Sequence, residues 1–297
     1  MPEPIIIRGS LNAQSPVAPQ RQSRELTELR NYIQQNQSSV SNALSRIISQ
    51  PLRGENQCQF VFIGETHNSG HAMAESIASS FPRLQREAQA RGETLILAAE
   101  LDVSSQGAAA NSPVNDLVGL IQNPQNEDFT SNGMWPVLFG ARRAGIQVHC
   151  VDPGIPGLPH GQAPTTTQFD RRESILLDNI TRLARPRTRI IYYGGLIHGS
   201  RSPIQSGNHT FNSAASRIMA SHGVGSVVSL RNANSQTGFD GATPQQSSLP
   251  SVSSVLSQPQ NNNNGIMVVP VGRPITNNYG SHDHVVIVPE ANVENRR

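Results

Sequence analysis

Acidic residues and histidines follow short apolar runs at three points of the sequence. The run QFVFI is followed by Glu65 and His67, LILAA is followed by Glu100, and RIIYY is followed by two glycines and then His198. A carboxylate at the end of a buried strand must be paired with a cation or bound to a metal. Glu100 is therefore the strongest single candidate for a functional role.

Two kinds of chemistry suit these four side chains. Glu65, His67, Glu100 and His198 offer the nitrogen and oxygen ligands that Mn²⁺, Co²⁺ or Zn²⁺ accept. Without a metal, a histidine oriented by a carboxylate can take a proton from water or a hydroxyl. The spacing does not separate the two. The sequence has no HExxH, GxSxG or phosphate-binding glycine loop.

The elements that would position these groups are strands alternating with helices. Strands this apolar, separated by amphipathic segments, predict an α/β fold with a largely parallel central sheet flanked by helices. In such sheets ligands bind outside the carboxyl ends of the strands, so the four side chains are expected on one edge. The predicted strands are 59–63, 95–99, 146–151, 189–193 and 225–230, and the predicted helices are 71–91, 134–144, 171–185 and 210–221.

Composition divides the chain into five segments. Low-complexity Pro, Gln, Ser and Asn stretches predict disorder or loops, and apolar residues at helical spacing predict a broken helix or helical hairpin near the start. The segments are a disordered start at 1–22, an N-terminal helical extension at 23–50, the α/β domain at 55–240, a loop at 241–265 and strands that complete the domain at 266–297.

Charge and composition exclude several classes of protein. A formal net charge of +2 with no basic stripe argues against nucleic acid as a partner. No apolar run approaches the roughly 18 to 20 residues of a transmembrane segment, and the start lacks the pattern of a secretory signal. All 23 Lys+Arg residues are arginine. A GC-rich genome and selection against ubiquitin attachment inside a eukaryotic cell both explain the missing lysine.

Five segments, in order, resemble the Tiki superfamily, which includes TraB and Tiki proteins, ChaN-like haem-uptake lipoproteins, erythromycin esterases and domains of some bacterial toxins. They are FVFIGETHNSGH, LILAAELD, MWPVLFGARRAGIQVHCVDP, FDRRESILLDNITRL and IIYYGGLIHGSR. The resemblance covers roughly residues 58–201, about half of the chain. It implies an α/β fold with the site at the strand ends.

The resemblance also implies roles for individual residues. It carries over to Glu65, His67, Glu100 and His198, with Arg172 as an anion-stabilising or structural partner and its neighbour Arg171 as the alternative register. In Tiki-type proteases paired G-x-x-H motifs bind metal, whereas in the esterases a histidine and a glutamate activate water without metal. ChaN-like proteins bind haem instead.

These observations predict a hydrolase that cleaves an amide or ester bond in a small-molecule or peptide substrate. The alternative is a non-catalytic module that binds haem or another ligand in the same cleft. The unstructured start, the missing signal and lysine, and a family with toxin domains further suggest a virulence effector delivered into a host cell by a type III-like system, where a host protein could be its partner. The alternative location is the bacterial cytoplasm.

Overall fold

Helices and strands alternate through most of the chain, as the sequence pattern predicts. The computed structural model describes residues 19–54, 56–65, 71–102, 113–122, 134–155, 165–206, 209–233, 265–272, 275 and 281–288. The helices are α1 (Pro19–Asn36), α2 (Val40–Ile48), α3 (His71–Ala90), α4 (Leu117–Gln122), α5 (Trp135–Arg143), α6 (Thr166–Thr181) and α7 (Ala214–His222), with a 3₁₀ helix at Leu196–Gly199.

Among the described residues, eight strands form the main sheet and two form a separate hairpin. The main sheet contains β1 (Ser38–Ser39), β2 (Gln59–Glu65), β3 (Thr94–Asp102), β4 (Gln147–Asp152), β5 (Thr188–Gly195), β8 (Val227–Ala233), β9 (Met267–Pro270) and β10 (His284–Ile287), and the hairpin contains β6 (Ile204–Ser206) and β7 (His209–Phe211).

The order of strands places the candidate residues close together. The order is β1-β9-β10-β8-β2-β5-β3-β4. Each adjacent pair of strands from β10 to β4 in this order is parallel. Within the described part of the main sheet, β9 pairs antiparallel with both β10 and β1, so β9 runs against the direction of the other strands. Because parallel strands end at the same edge, the carboxyl ends of β2, β3, β4 and β5 meet there. The predicted α/β fold with a largely parallel sheet is confirmed.

The two faces of the sheet carry separate apolar cores. On β2, Val61 and Ile63 point to the face that α2, α3, α4 and α5 cover, here called the α3 face. Phe60 and Phe62 point to the face that α6 and α7 cover, here called the α6 face. Each fully buried aliphatic or aromatic side chain contributes about 1.5–3 kcal/mol by leaving water. Alternation along each strand therefore decides which helices a residue meets.

The N-terminal extension consists of two helices with a short strand between them. α1 begins at Pro19, inside the segment predicted to be disordered, and residues 1–18 lie outside the described part of the chain. The predicted break falls at β1, which pairs with β9, and the Ser39 side chain caps α2 by accepting from the Asn42 backbone N–H. The N-terminal extension therefore packs against the sheet at β9, one of the strands near the C-terminal end of the chain. The predicted loop at 241–265 lies almost entirely outside the described residues.

Among the described residues, no helix combines the length and the apolar character that a bilayer crossing requires.

Candidate functional site

Glu100 lies at the end of β3, opposite a glycine on the neighbouring strand. The pairing of β3 with β5 reaches Ala99 and Tyr193, so Glu100 comes beside Gly194. A Cβ on Gly194 would sit 2.4 Å from Glu100 Oε2 and 2.5 Å from Glu100 Cβ. Only a residue without a side chain leaves that space, so Gly194 lets the Glu100 carboxylate lie across β5.

The Glu100 carboxylate accepts hydrogen bonds from three donors. Oε1 faces His198 Nε2 at 3.0 Å and Arg172 Nη2 at 2.7 Å, and Oε2 accepts from the Gly195 backbone N–H. Burial alone would raise the pKa of Glu100, but His198, Arg172 and the Gly195 N–H lower it well below its usual range. Glu100 is therefore a fixed, buried anion rather than a proton donor.

His198 lies on the 3₁₀ helix after β5, with a carboxylate at each ring nitrogen. Nδ1 contacts Glu173 Oε1 and Nε2 contacts Glu100 Oε1. Phe169 stacks on the imidazole with centroids 6.1 Å apart and an interplanar angle of 8°. Burial alone would lower the pKa of His198, but Glu173 and Glu100 raise it to about 10. His198 is therefore an imidazolium at neutral pH.

Arg172 on α6 joins Glu100 to the end of β4. Its Nε and Nη2 donate to the two carboxylate oxygens of Asp152 at 2.8 and 2.6 Å, the bidentate geometry of strong guanidinium pairs. The Asp152 and Glu100 carboxylates outweigh the effect of burial and raise the pKa of Arg172 further above its already high range. Nη1 has no acceptor among the described residues. Arg172, not the exposed Arg171, belongs to the site.

Two members of this network were missed in the sequence. Asp152 directly precedes Pro153, and an Asp-Pro pair after a strand is typical of a local turn, so the sequence does not single it out. Phe169, Glu173, Leu176 and Ile180 recur at helical spacing on the buried side of α6, so an acidic residue in an apolar stripe was the available signal. Glu173 is fully buried, and its Oε2 accepts from the Ala214 backbone N–H at the start of α7 at 2.8 Å.

Glu65 makes a separate contact on the α3 face. Tyr193 donates its hydroxyl to Glu65 Oε2 at 2.6 Å, and both side chains are buried. Glu65 shares the edge with the network, because it is paired in register with Gly195. The sheet backbone nevertheless lies between its carboxylate and the Glu100 carboxylate. His67 lies outside the described residues.

The predicted metal ligands are Glu65, His67, Glu100 and His198. Among the residues that the structure describes, no His, Cys, Asp and Glu side chains form a group of three or more suited to a metal ion. His198 does not fit as a ligand, because an imidazole binds metal through a nitrogen lone pair and both of its nitrogens face carboxylates. With His67 undescribed, the metal and haem alternatives stay predictions.

Sequence comparison gives no match, whereas structure comparison finds proteins of similar fold. No family model and no curated protein matches the chain. A succinoglycan biosynthesis protein matches with a TM-score of 0.53 at 10% identity, covering 92% of this chain and 98% of its own. A variant of the erythromycin esterase EreC in its open conformation matches with a TM-score of 0.51 at 11% identity, covering 84% and 93%.

A weaker match is the type III effector HopBA1, with a TM-score of 0.41 at 13% identity, covering 79% of this chain and 89% of its own. A score at that level supports no argument about either the fold or the function. The two stronger matches, at such low identity, show the fold alone. The chain therefore adopts a fold that an erythromycin esterase also adopts.

Proposed function

We propose that the chain is a hydrolase that cleaves an ester or amide bond at the carboxyl edge of the sheet. The observation that carries the proposal is the Arg172 guanidinium, which Asp152 and Glu100 hold by three hydrogen bonds at 2.6–2.8 Å while Nη1 is left without an acceptor among the described residues. Attack of water on a carbonyl carbon places negative charge on the carbonyl oxygen. A fixed donor aimed at that oxygen lowers the barrier.

Two features of the network favour this role for Arg172. Its side chain is 15% exposed, whereas those of Glu100 and His198 are 2% and 1% exposed, so Arg172 is the member that a substrate can reach. Its position is set before any substrate binds, because its partners Glu100 and Asp152 lie on strands β3 and β4 of the sheet. Donors fixed in advance need no reorganisation during the reaction.

His198 cannot be the base, because its nitrogens already carry protons at neutral pH. We assign that role to His67, which follows Glu65 by two residues in the sequence. His67 would take a proton from the attacking water and return it to the leaving oxygen or nitrogen, giving an acid and an alcohol or amine.

The test is hydrolysis of chromogenic esters and anilides of graded acyl length by the full chain. Arg172→Met should lower kcat/KM about 100-fold or more, the range seen when one oxyanion donor is removed. Arg171→Met is the matched control, because it removes the same charge from the neighbouring, exposed position on α6. His67→Ala should abolish turnover.

Other outcomes decide against parts of the proposal. Equal activity of the Arg172→Met and Arg171→Met variants would remove Arg172 from the reaction. Activity that EDTA abolishes and Mn²⁺ or Zn²⁺ restores would support the metal-dependent alternative. Stoichiometric haem binding, with no turnover of any ester or anilide, would favour the non-catalytic module.

We also propose that the protein acts after delivery into a host cell. The support is compositional: the chain contains no lysine, and residues 1–22 are rich in Pro, Gln and Ser. Fusing residues 1–50 to a reporter and expressing the fusion in a strain with a type III secretion system tests delivery. Reporter retained in the bacterium, equally with and without a working secretion system, counts against it.

A further inference from the structure

A cavity of about 330 Å³ lies between the N-terminal extension and the C-terminal strands, away from the network at the ends of β3, β4 and β5. Its walls come from the end of α1, from β1, from one side of α2, and from β9 and β10. Cavities of this size hold small-molecule ligands.

The cavity wall is polar and carries a single formal charge of positive sign. Arg46 on α2 is its charged residue, and no Asp or Glu is among its lining residues within the described part of the chain. Gln35, Asn36, Gln37 and Gln50 also line the cavity. Carboxamides both donate and accept hydrogen bonds, so they suit hydroxyl groups and oxyanions alike.

Arg46 has no ion-pair partner among the described residues. Its only hydrogen bond there is a long one, from Nε to the Asn42 carbonyl oxygen at 3.4 Å. Arg46 is exposed, whereas the buried Arg189 donates to Glu93, Gln59 and Gln50. The Arg46 guanidinium thus keeps donors available for a ligand, in the planar geometry that matches carboxylate and phosphate oxygens.

His284 at the start of β10 completes the polar wall. Its Nδ1 is buried and has no hydrogen-bond partner in the part of the chain that the structure describes. A buried polar atom without a partner is costly and uncommon, so a ligand or water that supplies one is favoured. Burial lowers the pKa of His284, and the charges of Arg46 and Arg201 lower it further against the opposing effect of Asp283.

We propose that this cavity binds a small oxyanion, a carboxylate or a phosphate, through Arg46 and His284. Such a ligand would touch the extension on one side and β9 and β10 on the other, so it would fasten α2 to the sheet. A ligand that binds only the folded arrangement raises its stability by mass action. This site is independent of the hydrolase site and of whether that site is active.

Binding to the full chain is measured by calorimetry and thermal unfolding with inorganic phosphate, glycerol 3-phosphate, citrate and glycerol, at ionic strength matched with NaCl. A rise in the unfolding temperature with the phosphates, with citrate or with both, but not with glycerol, supports the proposal and shows which oxyanion source is preferred. No binding of any oxyanion up to about 10 mM overturns it, since that concentration would reveal even millimolar sites.

Variants place the binding in the cavity. Arg46→Met should raise the dissociation constant about tenfold or more, the usual effect of losing a charge-assisted hydrogen bond. Arg143→Met is the matched control, because Arg143 is an exposed arginine at the end of α5, which does not line the cavity. In hydrogen exchange, phosphate or citrate should protect the amides of α2 in the Arg143→Met variant and not in the Arg46→Met variant. Equal affinity of the two variants overturns the assignment.

Discussion

Replacing Glu173 by glutamine removes one negative charge from beside His198 and nearly conserves the shape of the side chain. Glu173 is fully buried, and its carboxylate contacts His198 Nδ1 and the Ala214 backbone N–H. The glutamine oxygen can still accept from Ala214, but its amide group then faces Nδ1. We expect Glu173→Gln to destabilise the fold chiefly by removing the anion that keeps His198 protonated.

The size of the effect follows from the pKa of His198. A pKa that rises from 6.5 to about 10 on folding corresponds to roughly 5 kcal/mol, at about 1.36 kcal/mol per unit. Glu173 and Glu100 share this effect, so the variant should lose about 2–3 kcal/mol of unfolding free energy at pH values below 6.5.

The same pKa values determine how the loss of unfolding free energy changes with pH. A folded pKa above the unfolded one stabilises the protein fully below pH 6.5, and that stability is lost as the pH rises towards about 10. The difference between wild type and Glu173→Gln should therefore be largest near pH 6 and almost vanish near pH 10, on the order of 1 kcal/mol or less. Urea unfolding, followed by circular dichroism across this range, measures it.

Asp178→Asn is the matched control, since Asp178 lies on the same helix but is exposed. It should change the unfolding free energy by no more than about 0.5 kcal/mol at any pH. A loss in Glu173→Gln that is equally large at pH 6 and at pH 10 would refute the idea that His198 is the charged partner. A His198 ring in the wild type that titrates near its ordinary pKa by NMR would also refute it.

Further substitutions test the packing around the network. Gly194→Ala should lower the free energy of unfolding in urea by about 1–3 kcal/mol, because the added Cβ would lie within 2.6 Å of Glu100 and the Tyr192 hydroxyl. Gly265→Ala, in open space, should lower it little. Tyr192→Phe should keep or raise the unfolding temperature, because the buried hydroxyl has no hydrogen-bond partner among the described residues. Tyr193→Phe should lose about 1–3 kcal/mol with its hydrogen bond to Glu65, and an equal effect of the two tyrosine variants would contradict this.

Stability should also have a maximum near pH 6.5. Below that pH, burial and the charges of Arg231 and Arg201 hold the pKa of His282 near about 3, so the unfolded chain binds the extra proton and stability falls as the pH drops. Above pH 6.5, the stability contributed by protonated His198 is lost as the pH rises towards about 10. A stability profile that keeps rising from pH 6.5 to pH 9 would contradict the charged state of His198.

Much of the fold could be predicted because apolar periodicity is a local signal. The five apolar runs became β2, β3, β4, β5 and β8, and the segments between them became helices α3, α5, α6 and α7. The rule that parallel strands end at one edge then brought Glu100 and His198 together, and the structure joins them at 3.0 Å. The alternation of side chains along β5, which can be counted in the sequence, also predicts that Tyr192 and Tyr193 lie on opposite faces of the sheet.

The sequence by itself determined the α/β class, the edge of the sheet and the pair of Glu100 and His198. Only the tertiary structure decided that Arg172 rather than Arg171 faces them, and that Asp152 and Glu173 complete the network. The reason is physical: residue spacing fixes the direction of a side chain within its own helix or strand. The rotation of α6 against β3 and β4 depends on the packing of the whole α6 face. That packing places a carboxylate at each ring nitrogen of His198, so His198 is a buried cation rather than a base.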